Sequence, residues 1–258
     1  SFYRTPLPLK AYSIMIKFGS LNDLIAIFCD FFTMQRMPVL RDNLIYLSMG
    51  PCSHISARAC YLGYCMQLCT LIYSFYVMSA CFAYRLWILN RPSPSSRNVL
   101  LVMLALYVPP IIVSGSFTFA QADDQIVREY LLKKAPSYLA EPGALSGHSG
   151  MTPHLIFTIL FVMFTPLPAY VLIIFFRHKI ISKLRQNSTD MSERTRKMHS
   201  TLVQALTVHA MLPPITLVGL AMYPLMFLDI YRHAVLEKAM FTIAAIPTAL
   251  SSLCTIYY

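Results

Sequence analysis

The chain has 258 residues, of which 57% are hydrophobic and only 12% are charged, and its formal net charge is +10. A soluble domain usually carries about 25% charged residues, so this composition excludes an ordinary soluble protein. A nucleic-acid-binding module is also excluded, because it would need its basic residues on one face of a soluble domain.

Apolar residues come in long blocks along the chain. A helix needs roughly 20 residues to cross the hydrocarbon core of a membrane. Lipid cannot satisfy unpaired backbone groups, so spans of this length must be helical. Six such runs are present, at 12–34, 59–83, 98–120, 153–176, 201–228 and 239–258. The sequence therefore predicts an all-α membrane protein, a single helical bundle over 1–258 embedded in a lipid bilayer.

The first run contains two acidic residues at membrane depth. Asp23 and Asp30 are seven residues apart, which is two helical turns, so both side chains project from one face of the helix. An ionisable group costs roughly 2.5–3.5 kcal/mol at the centre of a membrane helix. This face is therefore predicted to turn toward the interior of the bundle.

Cysteine is present seven times, an odd number. Five cysteines lie well inside the apolar runs, where we expect them to be small packing residues: Cys29, Cys65, Cys69, Cys81 and Cys254. The other two, Cys52 and Cys60, lie on one segment at the start of the second run. They can pair with each other or with another region of the chain.

Much of the proline lies inside the runs, including Pro109-Pro110, Pro166 with Pro168, and Pro213-Pro214. Each of these proline positions is predicted to interrupt its helix. Packed membrane helices tolerate such breaks and kink there. Bent helices suit a bundle that encloses a cavity, which fits receptors and transporters equally well.

Basic residues are unequally shared between the two sides of the predicted bundle. The N-terminal stretch with loops 85–97 and 177–200 holds 12 basic and 2 acidic residues, or +10, whereas the other side holds 8 and 7, or +1. Cytosolic loops carry the excess of lysine and arginine, so 85–97 and 177–200 are predicted to be cytosolic and 121–152 to face outside. The sequon at Asn187 is then predicted to stay unglycosylated.

Both ends of the chain are predicted to be truncated. Six spans place both termini in the cytosol, yet the chain begins at Ser1 without an initiator methionine and ends at Tyr258 as the last run finishes. We therefore expect an earlier span and a tail to belong to the complete protein.

Motifs for catalysis or metal binding are not found in the sequence. It contains no H-E-x-x-H, no G-x-S-x-G and no glycine-rich phosphate loop, and its cysteines and histidines are not spaced as metal ligands. We expect no enzymatic activity and no cofactor. His209, deep in the fifth run, is expected to be a packing residue.

Four stretches carry a resemblance to a known family. They are Thr5-Pro6-Leu7 with Lys10-Ala11-Tyr12-Ser13 ahead of Asn22-Asp23-Leu24, Gly50-Pro51-Cys52 with a helix closing on Tyr84-Arg85, Met191 to Pro213, and Pro247 followed by Ile256-Tyr257-Tyr258. The third is the most specific, because a basic entry passes into a long helix with a proline two-thirds along, like the sixth helix of a seven-helix receptor. The chain resembles the nematode serpentine chemoreceptors, particularly class delta (Srd) of the Str-type superfamily.

The resemblance implies a G-protein-coupled receptor in which the six runs are helices two to seven and the missing span is helix one. It implies detection of an environmental small molecule and signalling to a heterotrimeric G protein, at the plasma membrane of a sensory cilium. A dimer with a second receptor is left open. The alternative function is a small-molecule transporter or channel subunit with a true six-span topology.

Under the receptor hypothesis, Asp30, Tyr61 and Tyr64 border a ligand cavity that opens to the outside. Asp23 takes a switching or cation-holding role at mid-depth. The alternative for both acids is a structural carboxylate that serves helix packing.

The resemblance places G-protein contacts at the opposite end of the bundle: Tyr84, Arg85, Arg194, Arg196 and Lys197. Arg85 is expected to bridge the cytosolic ends of helices three and six in the closed state. The alternative is that these basic residues are only topology signals. Two features depart from rhodopsin-like receptors: Ala83 stands where they carry an acid, and 121–152 contains no cysteine to bond helix three.

Overall fold

The computed structural model describes residues 7–40, 43–186, 193–227 and 234–257. Its nine α-helices over these residues are α1 (Leu7–Thr33), α2 (Ala57–Ile88), α3 (Ser96–Ala105), α4 (Val108–Thr118), α5 (Asp124–Lys134), α6 (Pro153–Phe164), α7 (Pro166–Gln186), α8 (Glu193–Phe227) and α9 (Ala234–Tyr257). Six long units result, since α3 continues into α4 and α6 into α7. The prediction of an all-α membrane bundle is confirmed.

The six units overlap the six apolar runs in order. Within the described residues, three units are long and apolar enough to cross a membrane on composition alone: Ala57–Ile88, Ser96–Thr118 and Pro153–Gln186. α2 is the central helix, because it packs against α1, α4 and α7, while α9 packs against α8 and α1. The bundle is thereby closed around α2.

The proline positions have two different outcomes. Pro109 lies in the first turn of α4 and Pro166 is the first residue of α7, so two of the predicted interruptions are real helix breaks. A proline ring clashes with the carbonyl four residues earlier and removes one backbone hydrogen bond. α8 instead continues through Pro213-Pro214 without interruption. Its packing along α9 supports it there, so the predicted interruption of this helix is wrong.

A small antiparallel sheet covers one end of the bundle, which we call the sheet end. Its central strand, β3 (Asn43–Ser48), pairs along one edge with β1 (Gln35–Arg36) and β2 (Val39–Leu40), and along the other with β4 (Ala144–Gly147). Side chains alternate between the faces of a strand. Tyr46 accordingly packs into the bundle core, whereas Ile45 packs against α5. The segment 121–152, expected as a loop, therefore holds a helix and a strand that cover the bundle.

The Gly50-Pro51-Cys52 stretch has a structural explanation at this end. A Cβ atom on Gly50 would lie 2.3 Å from the carbonyl oxygen of Phe32, so only glycine fits against the end of α1. Pro51 begins a short 3-10 turn. Cys52 forms a disulfide with Cys60, whose Cα is 5.0 Å away. Of the two alternatives that the sequence left open, the structure has the local pair.

The cysteines of the apolar runs carry free thiols where the structure describes their side chains. Cys29, Cys65 and Cys69 are buried, and Cys81 is partly exposed. Burial among helices fits their expected role as packing residues. The side chain of Cys254 lies outside the described residues.

Candidate functional site

A cavity of about 100 Å³ lies between α1, α2, α6, α8 and α9. Its walls are mainly aliphatic and aromatic, and its lining residues include Ile27, Leu68, Leu71, Val162, Leu220 and Phe241. The polar side chains at its wall come from α1 and α2: Asp30, Tyr64, Gln67, Thr70 and Ser74. An apolar chamber with a few polar groups on one side is the usual form of a small-molecule site.

Asp30 and Gln67 form the polar pair at the wall of this cavity. The Gln67 amide nitrogen donates to Asp30 Oδ1 over 2.8 Å. The other amide atom, Gln67 Oε1, is buried and has no hydrogen-bond partner among the described residues. The polar part of the wall therefore consists of the Asp30 carboxylate with a buried, unpartnered amide oxygen close to it.

Tyr64 lines the cavity, but Tyr61 does not. The Tyr61 ring is fully buried, and its hydroxyl donates to the Phe117 carbonyl oxygen over 2.6 Å. Tyr46 of β3 packs on Tyr64 with ring centroids 4.8 Å apart. The structure thus brings Asp30 and Tyr64 together at the cavity, while Tyr61 holds α2 to α4 beneath the sheet.

His148 completes the aromatic layer under the sheet. It is 1% exposed, its ring lies 4.8 Å from that of Phe117, and its Nδ1 is 2.6 Å from the Ala120 carbonyl oxygen. Burial lowers the pKa of His148 to about 4. The ring is therefore neutral at physiological pH, with Nδ1–H donating to Ala120, and adds no positive charge near the cavity.

Asp23 lies one layer deeper than the cavity and is 6% exposed. Ser74, a cavity-lining residue, is 3.5 Å from Asp23 Oδ1, and Asn22 donates to Ser74 over 2.9 Å and to the Thr70 carbonyl oxygen over 3.1 Å. Both acidic residues of α1 therefore face α2. Asp23 is connected to the cavity floor through Ser74.

An ion-pair cluster that the sequence did not indicate joins the sheet to α9. Arg36 of β1 contacts Glu141 at 2.7 Å and Glu237 at 2.6 Å, and the Tyr138 hydroxyl donates to Glu237 over 2.9 Å. Burial and then Glu237 raise the pKa of Tyr138 to about 12, so its hydroxyl keeps the proton that it donates. Arg36 and Glu237 are 201 positions apart, so their partnership cannot be read from local sequence.

The opposite end, which we call the Arg85 end, carries an aromatic and cationic contact between α2 and α1. Arg85 donates to the Tyr12 hydroxyl and its guanidinium lies 5.2 Å from the Tyr12 ring centroid, while Tyr84 stacks on Tyr12. Among the described side chains, Arg85 therefore contacts Tyr12 of α1, and the predicted bridge to α8 stays a prediction.

Several predicted residues fall outside the described part of the chain. The backbone of α8 includes three of the predicted G-protein contacts, but their side chains are not described: Arg194, Arg196 and Lys197. The side chain of His209 and the sequon at Asn187 also lie outside it. Their roles stay predictions.

Comparison with known proteins assigns the chain to a family. Residues 1–258 match the family described as serpentine type 7TM GPCR chemoreceptor Srd. The chain belongs to this Srd family. Among similar proteins of Caenorhabditis elegans, serpentine receptor class delta-18 is 27% identical over 100% of this chain and 78% of its own length. Class delta-2 is 25% identical over 99% and 73%, and class delta-19 is 24% identical over 100% and 78%.

Membership of the Srd family confirms the resemblance read from the motifs. In the seven-helix arrangement, the six long units correspond in order to helices two to seven, and α5 lies outside them. Helix three is then α2, which starts at the disulfide and ends with Tyr84 and Arg85. The family is one of chemoreceptors.

Proposed function

We propose that this Srd chain is a chemosensory G-protein-coupled receptor that detects an external small molecule. The match to a chemoreceptor family over the whole chain carries the proposal. The cavity beneath the sheet supports it, because it offers a chamber among five helices for a small ligand. Signalling to a heterotrimeric G protein and location in a sensory cilium are part of the same proposal.

The ligand binds in the cavity beside Asp30 and Tyr64, and Tyr61 fixes the layer above it. The proposed mechanism is a population shift, in which the ligand favours the receptor conformation that it binds better. The walls of the cavity come from α1, α2, α6, α8 and α9, so contacts with the ligand change the preferred arrangement of these helices. The helix break at Thr165 provides one place where they can bend.

A cavity-filling substitution tests this site. Ala26 lines the cavity, so Ala26→Phe places a ring in the space that the ligand needs. Leu24→Phe is the matched control, since Leu24 on the same helix is 64% exposed. With volatile amines, alcohols and acids as probes, the concentration for half-maximal G-protein nucleotide exchange should rise roughly tenfold or more for Ala26→Phe only. Equal responses of the two variants would place the ligand elsewhere.

Asp23 is proposed to act as the switch or cation-holding residue under the cavity. Its contact with Ser74 and its burial next to α2 support this role. We expect Asp23→Asn to insert normally into the membrane but to change the ligand response or its sodium dependence. Normal signalling by Asp23→Leu, at normal surface levels, would leave only a packing role for this carboxylate.

The sheet end is proposed to face outside the cell and the Arg85 end the cytosol. The charge difference between the two sides supports this orientation. The disulfide at the sheet end agrees with it, because disulfides persist in oxidising surroundings.

Glycosylation mapping tests the orientation. The native sequon at Asn187 should carry no glycan. A second sequon, engineered on the side predicted to face outside, serves as a positive reporter. Ser146 is unsuitable for it because this residue is fully buried in β4. The sequon is therefore placed on α5 by Leu132→Asn with Lys134→Thr, where both residues are exposed. This variant should gain one glycan, seen as a mass shift that glycosidase removes. Glycan on native Asn187 would reverse the proposed topology.

The G-protein contact is proposed at the Arg85 end. Arg85 lies in the last turn of α2. α8 begins at Glu193, and its first residues include the other basic residues of the proposed contact: Arg194, Arg196 and Lys197. These charges would complement acidic groups on the G protein. Salt should weaken such a contact, because exposed charges are screened over about 10 Å at 0.1 M.

A further inference from the structure

We propose that the cavity selects small molecules with a short apolar body and a protonated amine head, which binds at the Asp30 carboxylate beside Gln67. This inference rests on the proposed function, because it names the ligand class of the same site. It follows from the hydrogen-bonding capacity, the charge and the size of the cavity.

The charged hydrogen-bonding group at the polar wall is the carboxylate of Asp30. An ionised carboxylate can only accept hydrogen bonds, so the Gln67 side chain must turn its amide nitrogen toward Asp30, as observed at 2.8 Å. This fixes the orientation of the amide, and the amide oxygen Oε1 is buried without a partner among the described residues. A ligand group that pairs with the Asp30 carboxylate therefore brings N–H donors, and a primary ammonium group has three.

The charge of the cavity points in the same direction. Among the residues that the structure describes, its lining includes the carboxylate of Asp30 but no lysine, arginine or histidine. A carboxylate inside a membrane span is costly unless it is paired. An ammonium group on the ligand supplies the missing positive charge, whereas a ligand carboxylate would be repelled.

The remaining walls set the size and character of the ligand body. A dry cavity of about 150 Å³ can hold benzene, so a cavity of about 100 Å³ suits an apolar body of roughly four heavy atoms. Aliphatic side chains form much of the wall. Tyr64 and Phe241 meet there edge to face, with centroids 5.8 Å apart, and such rings attract a nearby cation through their π faces.

Butylamine, butanol and butyrate test the proposal, because they share one carbon chain and differ in the head group. Binding to the full-length protein in lipid nanodiscs at pH 7 should be roughly tenfold or more tighter for butylamine than for butanol, with butyrate weakest. Asp30→Asn should remove the preference for the amine while changing butanol binding less than about twofold. Glu129→Gln, which removes an exposed carboxylate on α5, should keep it.

Two results would overturn the amine assignment. One is equal or weaker binding of butylamine relative to butanol, or no binding of butylamine at all. The other is an amine preference that survives Asp30→Asn. Either result leaves the receptor proposal standing if another probe drives nucleotide exchange that Ala26→Phe blocks. Absence of exchange with every probe, despite selective amine binding, would instead contradict the receptor and keep the ligand assignment.

Discussion

Replacing Arg36 with alanine should loosen the sheet end by about 3 kcal/mol, because it leaves two carboxylates without their counter-ion. Glu237 is 12% exposed at its side chain and Glu141 is 32% exposed. The partial exposure of Glu141 keeps the cost at the lower end of the range for a broken buried pair. Burial opposes the charge on Arg36, but hydrogen bonds and attraction from both carboxylates outweigh it and raise its pKa.

Hydrogen exchange of the β3 amides measures this loosening directly. A cost of about 3 kcal/mol corresponds to exchange that is roughly 100-fold faster, if β3 opens together with the ion-pair cluster. Arg58→Ala is the matched control, because Arg58 is an exposed arginine at the same end, and it should change exchange little. Equal protection of β3 in the two variants would show that Arg36 does not hold the sheet to α9.

Replacing Arg85 with alanine should reduce ligand-stimulated nucleotide exchange to below about a tenth, while ligand binding stays close to normal. The guanidinium presents five donors at the end of α2, and in the structure it uses one on Tyr12. We propose that in the active state it turns to the G protein. The cavity lies nearer the start of α2, between Tyr64 and Ser74. The Arg85→Ala substitution therefore leaves the ligand contacts unchanged.

Two controls separate signalling from packing at this end. Tyr12→Phe removes the hydroxyl that accepts from Arg85 but keeps the ring that stacks on Tyr84. It should retain most activity if the role of Arg85 is contact with the G protein. Arg91→Ala removes another arginine of this end, one that packs over Trp87 at 4.8 Å, and should be nearly silent. Normal exchange by Arg85→Ala would reduce Arg85 to a topology charge.

The helices and the inward face of α1 could be predicted because the signals are local. Runs of apolar residues mark the six units, and a spacing of seven residues places Asp23 and Asp30 on one face. The structure shows both facing α2, with Asp30 bonded to Gln67. The Gly50-Pro51-Cys52 stretch could be recognised as a motif in the sequence. Only the structure explains its glycine, because a Cβ atom at this position would lie 2.3 Å from the Phe32 carbonyl oxygen.

The sheet and the ion-pair cluster could not be predicted because they depend on distant pairing. β4 has only four residues, and its register with β3 sets Tyr46 against Ser146, which are 100 positions apart. Arg36 finds Glu141 and Glu237 across separations of 105 and 201 residues. Tyr61 shows the same limit, since the receptor hypothesis placed it with Tyr64 at the cavity, yet its hydroxyl donates to the Phe117 carbonyl oxygen.

The central claim, that this chain is a receptor and not a six-span transporter, is tested most directly in one preparation of proteoliposomes. The full-length protein is reconstituted with a purified heterotrimeric G protein, and nucleotide exchange and solute flux are measured together as butylamine and other small probes are added. We predict probe-dependent nucleotide exchange, its loss in Arg85→Ala, and no flux of the probe across the vesicle. Flux without nucleotide exchange would contradict the account and establish the transporter.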